Sequence, residues 1–104
     1  MRILMHTKWP HEPFNTAVRK GTAGETIQRI LAEIKPEAVY FTNYDGQRGA
    51  ILVVDVPDAS KIPALAEPFF LSFNADVQAH IVMSPEELSN AGLDTMGKKW
   101  PSVG

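Results

Sequence analysis

The chain has 104 residues, 44% of them hydrophobic and 21% charged, with a formal net charge of -2 at pH 7. This composition predicts one folded domain with a single modest core and excludes intrinsic disorder. No basic cluster points to nucleic acid, and no segment approaches the roughly 18–20 apolar residues of a membrane helix. The lack of cysteine excludes disulfides and thiolate chemistry. Since the first residues do not form a secretory leader either, we expect a cytoplasmic protein.

The first elements are predicted to be a strand and a helical region. Residues 2–9 (RILMHTKW) alternate so that both faces of a strand have some apolar character. Residues 10–13 (PHEP) form a rigid connector. From residue 14 to residue 35 the apolar period becomes helical. One face of this helical region carries Ile27, Ile30, Leu31 and Ile34.

Because of two glycines, the sequence does not determine whether residues 14–35 form one helix or a loop and a shorter helix. The interpretation we favour is a single helix with a stripe of small residues at Ala17, Gly21 and Gly24. Because each glycine inside a helix costs about 1 kcal/mol relative to alanine, the alternative is a loop followed by a shorter helix. That helix would begin at Thr22, which has capping-box spacing to Glu25. In the single helix, the stripe either packs closely on the sheet, which we prefer, or leaves room for a ligand.

Residues 38–56 are predicted to form a β-hairpin. Asp45-Gly46 favours the positive φ angles of a tight turn. The flanking segments, residues 38–44 (AVYFTNY) and 50–56 (AILVVDV), are rich in β-branched, aromatic and aliphatic residues. The preferred register gives one wholly apolar face, with Val39, Phe41, Ala50, Leu52, Val54 and Val56. The other face then carries Tyr40, Thr42, Tyr44, Ile51, Val53 and Asp55, and a shift by one residue would exchange the pairing of the faces.

A second helix follows the hairpin. Asp58 or Ser60 can cap its beginning. We expect the helix to kink or stop near Glu67, because Pro68 cannot donate a helical hydrogen bond. The residues that come next are predicted to form an apolar plug: Phe69, Phe70, Leu71 and Phe73.

The chain ends in a strand, a short helix and a tail. Residues 77–83 (VQAHIVM) alternate as expected for a half-buried strand. Ser84-Pro85-Glu86-Glu87 combines an N-cap serine, a proline at the first helical position and a capping box. Residues 93–104 contain Met96 and Trp100, so we expect this tail to dock on its own domain or on a neighbouring subunit.

This order of elements predicts an α+β domain of the ferredoxin-like βαββαβ type, with a four-stranded antiparallel sheet and an extra C-terminal helix. Both crossover helices pack on one face of the sheet, so a second subunit is expected to bury the other. The chain resembles the dimeric α+β barrel superfamily and, within it, a small bacterial protein family of unknown function. The resemblance covers nearly the whole chain and is most specific in residues 46–75 and in residues 83–88 (MSPEEL).

The resemblance implies a homodimeric barrel with a pocket between each sheet and its helices. The superfamily includes muconolactone-isomerase-like enzymes and cofactor-independent, antibiotic-biosynthesis-type monooxygenases, to which this chain is distantly similar. No catalytic motif of either class is present, so the resemblance assigns no catalytic residue. A phosphate-binding glycine loop, a serine-nucleophile elbow and a helical His-Glu-x-x-His are also missing from the sequence. We therefore predict neither a cofactor nor a bound metal.

The residues predicted to be catalytic are His6, His80 and Tyr40. The first and last strands are neighbours in a ferredoxin-like sheet, so the two histidines lie close together if their registers agree. As a pair they would serve as acid and base, or bind a metal with Asp55 or Glu12. The alternative, which we favour for each histidine, is an ordinary strand residue with its polar end hydrogen-bonded or in water.

The predicted ligand-binding residues have simpler alternatives as well. Asp55 is either a buried proton acceptor with a raised pKa or, as we favour, a solvated residue near the strand end. Glu67 either points into an aromatic pocket or lies on the surface, and Trp9 forms a pocket rim or an interface contact. Arg48 binds an anion or is solvated. The full set is Trp9, Gly21, Gly24, Arg48, Asp55, Glu67, Phe69 and Phe70.

Three functions fit these patterns: a small-molecule enzyme, a binding module that uses the same pocket without chemistry, and an interaction protein with no open pocket. We rank a small apolar or aromatic ligand, held between sheet and helices, above a purely structural role. The expected partners are a second copy of the chain and this small molecule, with neither nucleic acid nor a membrane.

Overall fold

The computed structural model of the chain describes residues 1–103 and has an α+β architecture. One antiparallel sheet contains β1 (Arg2–Trp9), β2 (Ala38–Tyr44), β3 (Gln47–Asp55) and β4 (Asp76–Val82), in the order β2-β3-β1-β4. Helices α1 (His11–Lys20) and α2 (Ala23–Ile34) connect β1 to β2, and α3 (Ile62–Phe73) connects β3 to β4. Two short helices, α4 (Pro85–Ser89) and α5 (Leu93–Lys99), follow β4. The four-stranded antiparallel sheet is consistent with a ferredoxin-like fold.

The hairpin between β2 and β3 adopts the preferred register. Val39 pairs with Leu52 and Tyr40 pairs with Ile51. Asp45 and Gly46 both have positive φ angles, 56° and 73°, as the turn requires. The prediction from the Asp-Gly signal and the alternating pattern is therefore confirmed.

The two faces of the sheet differ in what covers them. Helices α1, α2 and α3 cover one face, which we call the helix face, and the core lies there. The helix-face residues of the two central strands are buried: Ile3, Met5, Thr7, Trp9, Ala50, Leu52 and Val54. The opposite face, which we call the open face, carries the alternate residues of each strand. In β1 these are Arg2, Leu4, His6 and Lys8, all of them half-buried.

Trp9 is the centre of the aromatic core. It is 3% exposed, and its ring lies 5.0 Å from Phe14 and 4.8 Å from Phe73, measured between centroids. Its indole nitrogen Nε1 donates to Thr7 Oγ1 at 3.0 Å, so the one polar atom of the ring is satisfied inside the core. The expectation of a pocket rim or an interface contact was wrong for this residue.

The single helix over residues 14–35 was also wrong. Gly21 adopts a left-handed conformation with φ 75° and ends α1, and such an angle is incompatible with a continuing helix. A second helix, α2, begins at Ala23. The alternative placed this second start correctly, but the residues before it form a helix where it expected a loop.

Of the two expectations for Pro68, a kink or a stop near Glu67, the stop was wrong, because helix α3 continues through Pro68 to Phe73. Proline removes one backbone hydrogen bond, but the helix buries Leu65, Phe69 and Phe73 on one face. Tertiary packing of that face outweighs the local penalty. The expected plug is only half correct, because Phe70 is 41% exposed and Leu71 is 81% exposed.

The chain beyond β4 leaves the domain. Strand β4 lies at the edge of the sheet. It is less buried than the alternating pattern predicted, since Ile81 is 69% exposed. The capping box of α4 is present as predicted: Glu87 N–H donates to Ser84 Oγ at 3.1 Å, and Ser84 N–H donates to Glu87 Oε1 at 2.9 Å. Helix α5 was not predicted. Among residues 1–103, no helix is long and apolar enough to cross a membrane.

Candidate functional site

A cleft lies between the sheet and two of its helices, at the end of β3. It has a volume of about 530 Å³ and is bounded by the end of α2, the end of β3 and the first turns of α3. Its floor is apolar, since Ile34, Val54 and Leu65 line it and are buried in the core. The remaining lining residues are Glu33, Asp55, Val56, Pro57, Lys61, Ala64, Glu67, Pro68 and Leu71.

The rim of this cleft is charged. Glu33, Lys61 and Glu67 are exposed there. The Asp55 side chain is 59% exposed, and its Oδ1 accepts from the amino terminus of Met1 at 3.2 Å. This carboxylate is therefore a solvated group at the strand end, the alternative we favoured. An apolar floor beneath a few charges is the usual composition of a small-molecule site.

A second groove, of about 440 Å³, lies along the contact between α2 and α3. It shares Glu33, Pro68 and Leu71 with the cleft and adds Arg29 and Ile30 on α2. Because Pro68 and Leu71 line both the cleft and the groove, the two depressions adjoin each other at the exposed side of α3. A ligand longer than the cleft would extend in this direction.

The three residues predicted to be catalytic lie elsewhere, on the open face. The rings of His6 and His80 are 6.2 Å apart and nearly perpendicular, at 83°. His6 and Tyr40 are both paired with Ile51, from opposite sides, and Tyr40 is 70% exposed. The registers therefore bring the two histidines together, with Tyr40 in the same cross-strand row as His6.

The open-face position corrects the hypothesis that these residues line the pocket between helix and sheet. The sheet separates them from the cleft, so they cannot act on a molecule bound there. A hollow of about 310 Å³ lies beside His6 and is lined also by Lys8, Tyr44, Asp45, Asp76 and Gln78. Within residues 1–103, no group of three or more His, Asp or Glu side chains is placed to hold a metal ion.

The Tyr44 side chain packs against the backbone of β1 and β3 on the open face. Its hydroxyl donates to the Thr7 carbonyl, and its ring crosses Gly49, where an added Cβ would lie 2.9 Å from ring atom Cζ. Burial raises the pKa of the Tyr44 hydroxyl above 10.0, and the Asp45 carboxylate raises it further. A glycine inside a strand often marks such a close approach, and that signal was available in the sequence.

The other predicted ligand-binding residues are dispersed. Gly21 and Gly24 are exposed, and a Cβ built on either would meet no atom within 4 Å. Neither close packing nor a ligand pocket therefore explains them. Arg48 is held within the domain: its Nη1 donates to Asn15 Oδ1 at 2.7 Å, and its guanidinium lies 4.8 Å from the centroid of Phe14. Phe69 is part of the core.

Two of the predicted ligand-binding residues, Asp55 and Glu67, line the cleft, whereas Glu33, Lys61 and Leu65 of its lining were not predicted. Glu33 lies in the last turn of α2, and Lys61 directly precedes α3. Their proximity depends on how the two helices pack side by side, and a periodic pattern within each helix does not contain that information.

Comparison with known proteins does not assign the chain to a family. No family model matches the chain, and no curated protein matches it. One solved structure that aligns with part of the chain is a formyltetrahydrofolate deformylase from Pseudomonas putida KT2440, which is 13% identical with a TM-score of 0.49. The similarity covers 79% of this chain and 29% of that chain, so this chain spans less than a third of its length. A likeness of this size supports no statement about activity. The resemblance to dimeric α+β barrel proteins stays a prediction.

Proposed function

We propose that this chain binds a small apolar or aromatic molecule in the cleft between α2, α3 and the end of β3, and that it does so as a homodimer. The observation that carries the proposal is the cleft itself, about 530 Å³ with an apolar floor and a charged rim. Ligand sites of proteins generally have volumes of about 300–1,000 Å³. The proposal keeps the predicted ligand class and identifies the cleft as its location.

The structure of the floor favours binding over an incidental gap. Ile34, Val54 and Leu65 are fixed by the core, so binding would require little reorganisation. A ligand that buries roughly 200 Å² of apolar surface gains about 5 kcal/mol at 25 cal/mol per Å², before the cost of association. That gain alone gives weak binding, so the charges of Lys61, Glu33 and Glu67 would supply both further affinity and selectivity.

The open face supports the homodimer. It presents apolar side chains of neighbouring strands, among them the half-buried Leu4, Ile51 and Val53 and the exposed Tyr40. A twofold axis would place two such faces against each other and remove this surface from water. The dimeric barrel implied by the resemblance would result.

Acid–base chemistry is the second candidate, and the His6–His80 pair favours it. The two rings lie 6.2 Å apart beside the hollow on the open face. In the proposed dimer this hollow lies between the sheets, so an isomerase or monooxygenase reaction would take place there and not in the cleft. Turnover lost in His80→Ala with retained stability would support this candidate.

The test of the cleft is a thermal-shift screen with apolar acids, amines, lactones and quinones. At a ligand concentration ten times Kd the stabilisation is about 1.4 kcal/mol, and we expect a rise in Tm of roughly 5–10 °C. Ala64→Trp, at an exposed position of the lining, would fill the cleft and abolish the shift. Ala32→Trp, exposed on α2 outside the lining, is the matched control. A shift that survives Ala64→Trp would locate the ligand outside the cleft and contradict the proposal, whereas no shift with any compound would favour an interaction protein.

A further inference from the structure

Residues 83–103, which we call the C-terminal arm, carry six large exposed apolar side chains: Met83, Leu88, Leu93, Met96, Trp100 and Val103. Leu93, Met96 and Trp100 are spaced at i, i+3 and i+7, so they share one face of α5 and its end. Trp100 is 72% exposed, and Leu88 of α4 is exposed as well. The arm therefore has an apolar face with nothing against it.

Such an arm is not expected to be helical by itself. Helix α4 has 5 residues and α5 has 7, whereas isolated helices shorter than about 12–15 residues are marginal in water. The arm also extends the molecule to 60 Å along its longest axis, with a radius of gyration of 18.0 Å. A compact domain of this length has a radius of gyration of about 13 Å. The domain that carries the arm does not cover it.

The position and the charge of the arm favour a second copy as its partner. The arm begins directly after the edge strand β4, so a second sheet packed on the open face would lie within its reach. Its end carries Lys98 and Lys99. The open-face hollow is lined by two carboxylates and by Lys8. Asp45 pairs with Lys8 Nζ at 3.5 Å, so Asp76 is the carboxylate of the hollow that the lysines of the arm would meet.

Covering the arms would add apolar area to the interface of the paired sheets. Trp100 exposes 72% of its surface, so covering it removes about 110–180 Å² from water, given that a tryptophan buries about 150–250 Å². Two arms, each with Leu88, Leu93 and Met96 as well, add several such contributions to the paired sheet faces. A standard protein interface buries about 1,200–2,000 Å².

We propose that the arms are exchanged in the homodimer: the arm of each copy packs along the β4 edge of the other copy's open face, beside the paired sheets, with its lysines at the hollow beside His6. The inference rests on the homodimer of the proposed function. It adds that the hollow with the histidine pair is complete only when the second copy contributes its arm. Any molecule that reaches His6 in the dimer then passes Lys98 and Lys99 of the other copy.

The test combines sedimentation with tryptophan quenching on the full chain. We expect Met96→Ser/Trp100→Ser to weaken the dimer at least tenfold, and Thr95→Ser, a polar exposed neighbour on α5, to change it less than twofold. Acrylamide should quench Trp100 only after dilution to monomer, with Trp100→Phe giving the constant background from buried Trp9. Circular dichroism verifies folding, and Leu93→Ser is a second variant with the same expectation.

The possible results distinguish the exchange of arms from the formation of the homodimer. A monomer at every concentration would end both the homodimer and the exchange. A dimer whose affinity is unchanged by Met96→Ser/Trp100→Ser, with Trp100 always accessible, would leave the homodimer standing and refute the exchange. Trp100 shielded equally in monomer and dimer would show that the arm folds onto its own domain, which also refutes it.

Discussion

Gly49 and Gly24 should respond to alanine with opposite signs. At Gly49, a Cβ would clash with the Thr7 carbonyl and lie 2.9 Å from two atoms of Tyr44. The Thr7 backbone belongs to the central strand β1 and cannot move without disturbing the core. Overpacking of this kind costs about 1–3 kcal/mol. At Gly24, in the first turn of α2, the same atom meets nothing within 4 Å, and alanine is favoured in a helix by up to about 1 kcal/mol.

Urea unfolding and thermal melts of both variants measure the difference. For Gly49→Ala, a loss of about 2 kcal/mol corresponds to a fall in Tm of roughly 8–16 °C. Gly24→Ala should melt at or above the parent temperature. Tyr44→Ser in the Gly49→Ala background should relieve only the ring contact, because the Thr7 carbonyl remains. A Gly49→Ala variant within 0.5 kcal/mol of the parent, or a Gly24→Ala variant below it, would refute the packing described for the open face.

Three further predictions concern the core, the pH dependence and the cleft. Phe69→Ala should cost about 3–5 kcal/mol in unfolding free energy and the exposed Phe70→Ala less than about 1; equal losses would contradict the burial of α3. Because the folded-state pKa of Tyr44 is raised, its contribution is complete below about pH 10 and is lost as the pH rises above it. The parent should therefore lose stability relative to Tyr44→Phe in alkaline urea titrations, and parallel curves would disprove this. For a carboxylate ligand of the cleft, Lys61→Met should weaken binding about 2–5-fold and Glu67→Gln strengthen it by a similar factor; calorimetry showing no change would remove the rim charges from recognition.

The two candidate sites lie on opposite sides of one sheet, and this limits what each can do. The cleft depends on how α2 and α3 pack over β3, so a single chain contains all of it. The His6–His80 pair lies on the open face, so its surroundings change when a second copy covers that face. Ligand binding at low protein concentration would thus test the cleft alone, and concentration-dependent activity would implicate the histidines.

Local signals in the sequence were sufficient where the interacting atoms are close in the chain. Asp45-Gly46 specified the turn of the hairpin, and the alternation around it specified the register. Ser84 and Glu87 satisfy each other within one helical turn. In these cases the stabilising contact lies within a few residues of the signal, so the pattern contains the whole interaction.

Only the tertiary structure decided the features that depend on distant residues. Pro68 would end an isolated helix, but packing of Phe69 and Phe73 against Trp9 keeps α3 continuous. The sequence predicted that His6 and His80 lie on neighbouring strands. Whether the two side chains share a face depends on the register between β1 and β4, which the structure shows. The cleft likewise required two helices to pack side by side. Burial free energy is set by which surfaces meet across the fold, and a local pattern predicts that a surface is apolar without specifying its partner.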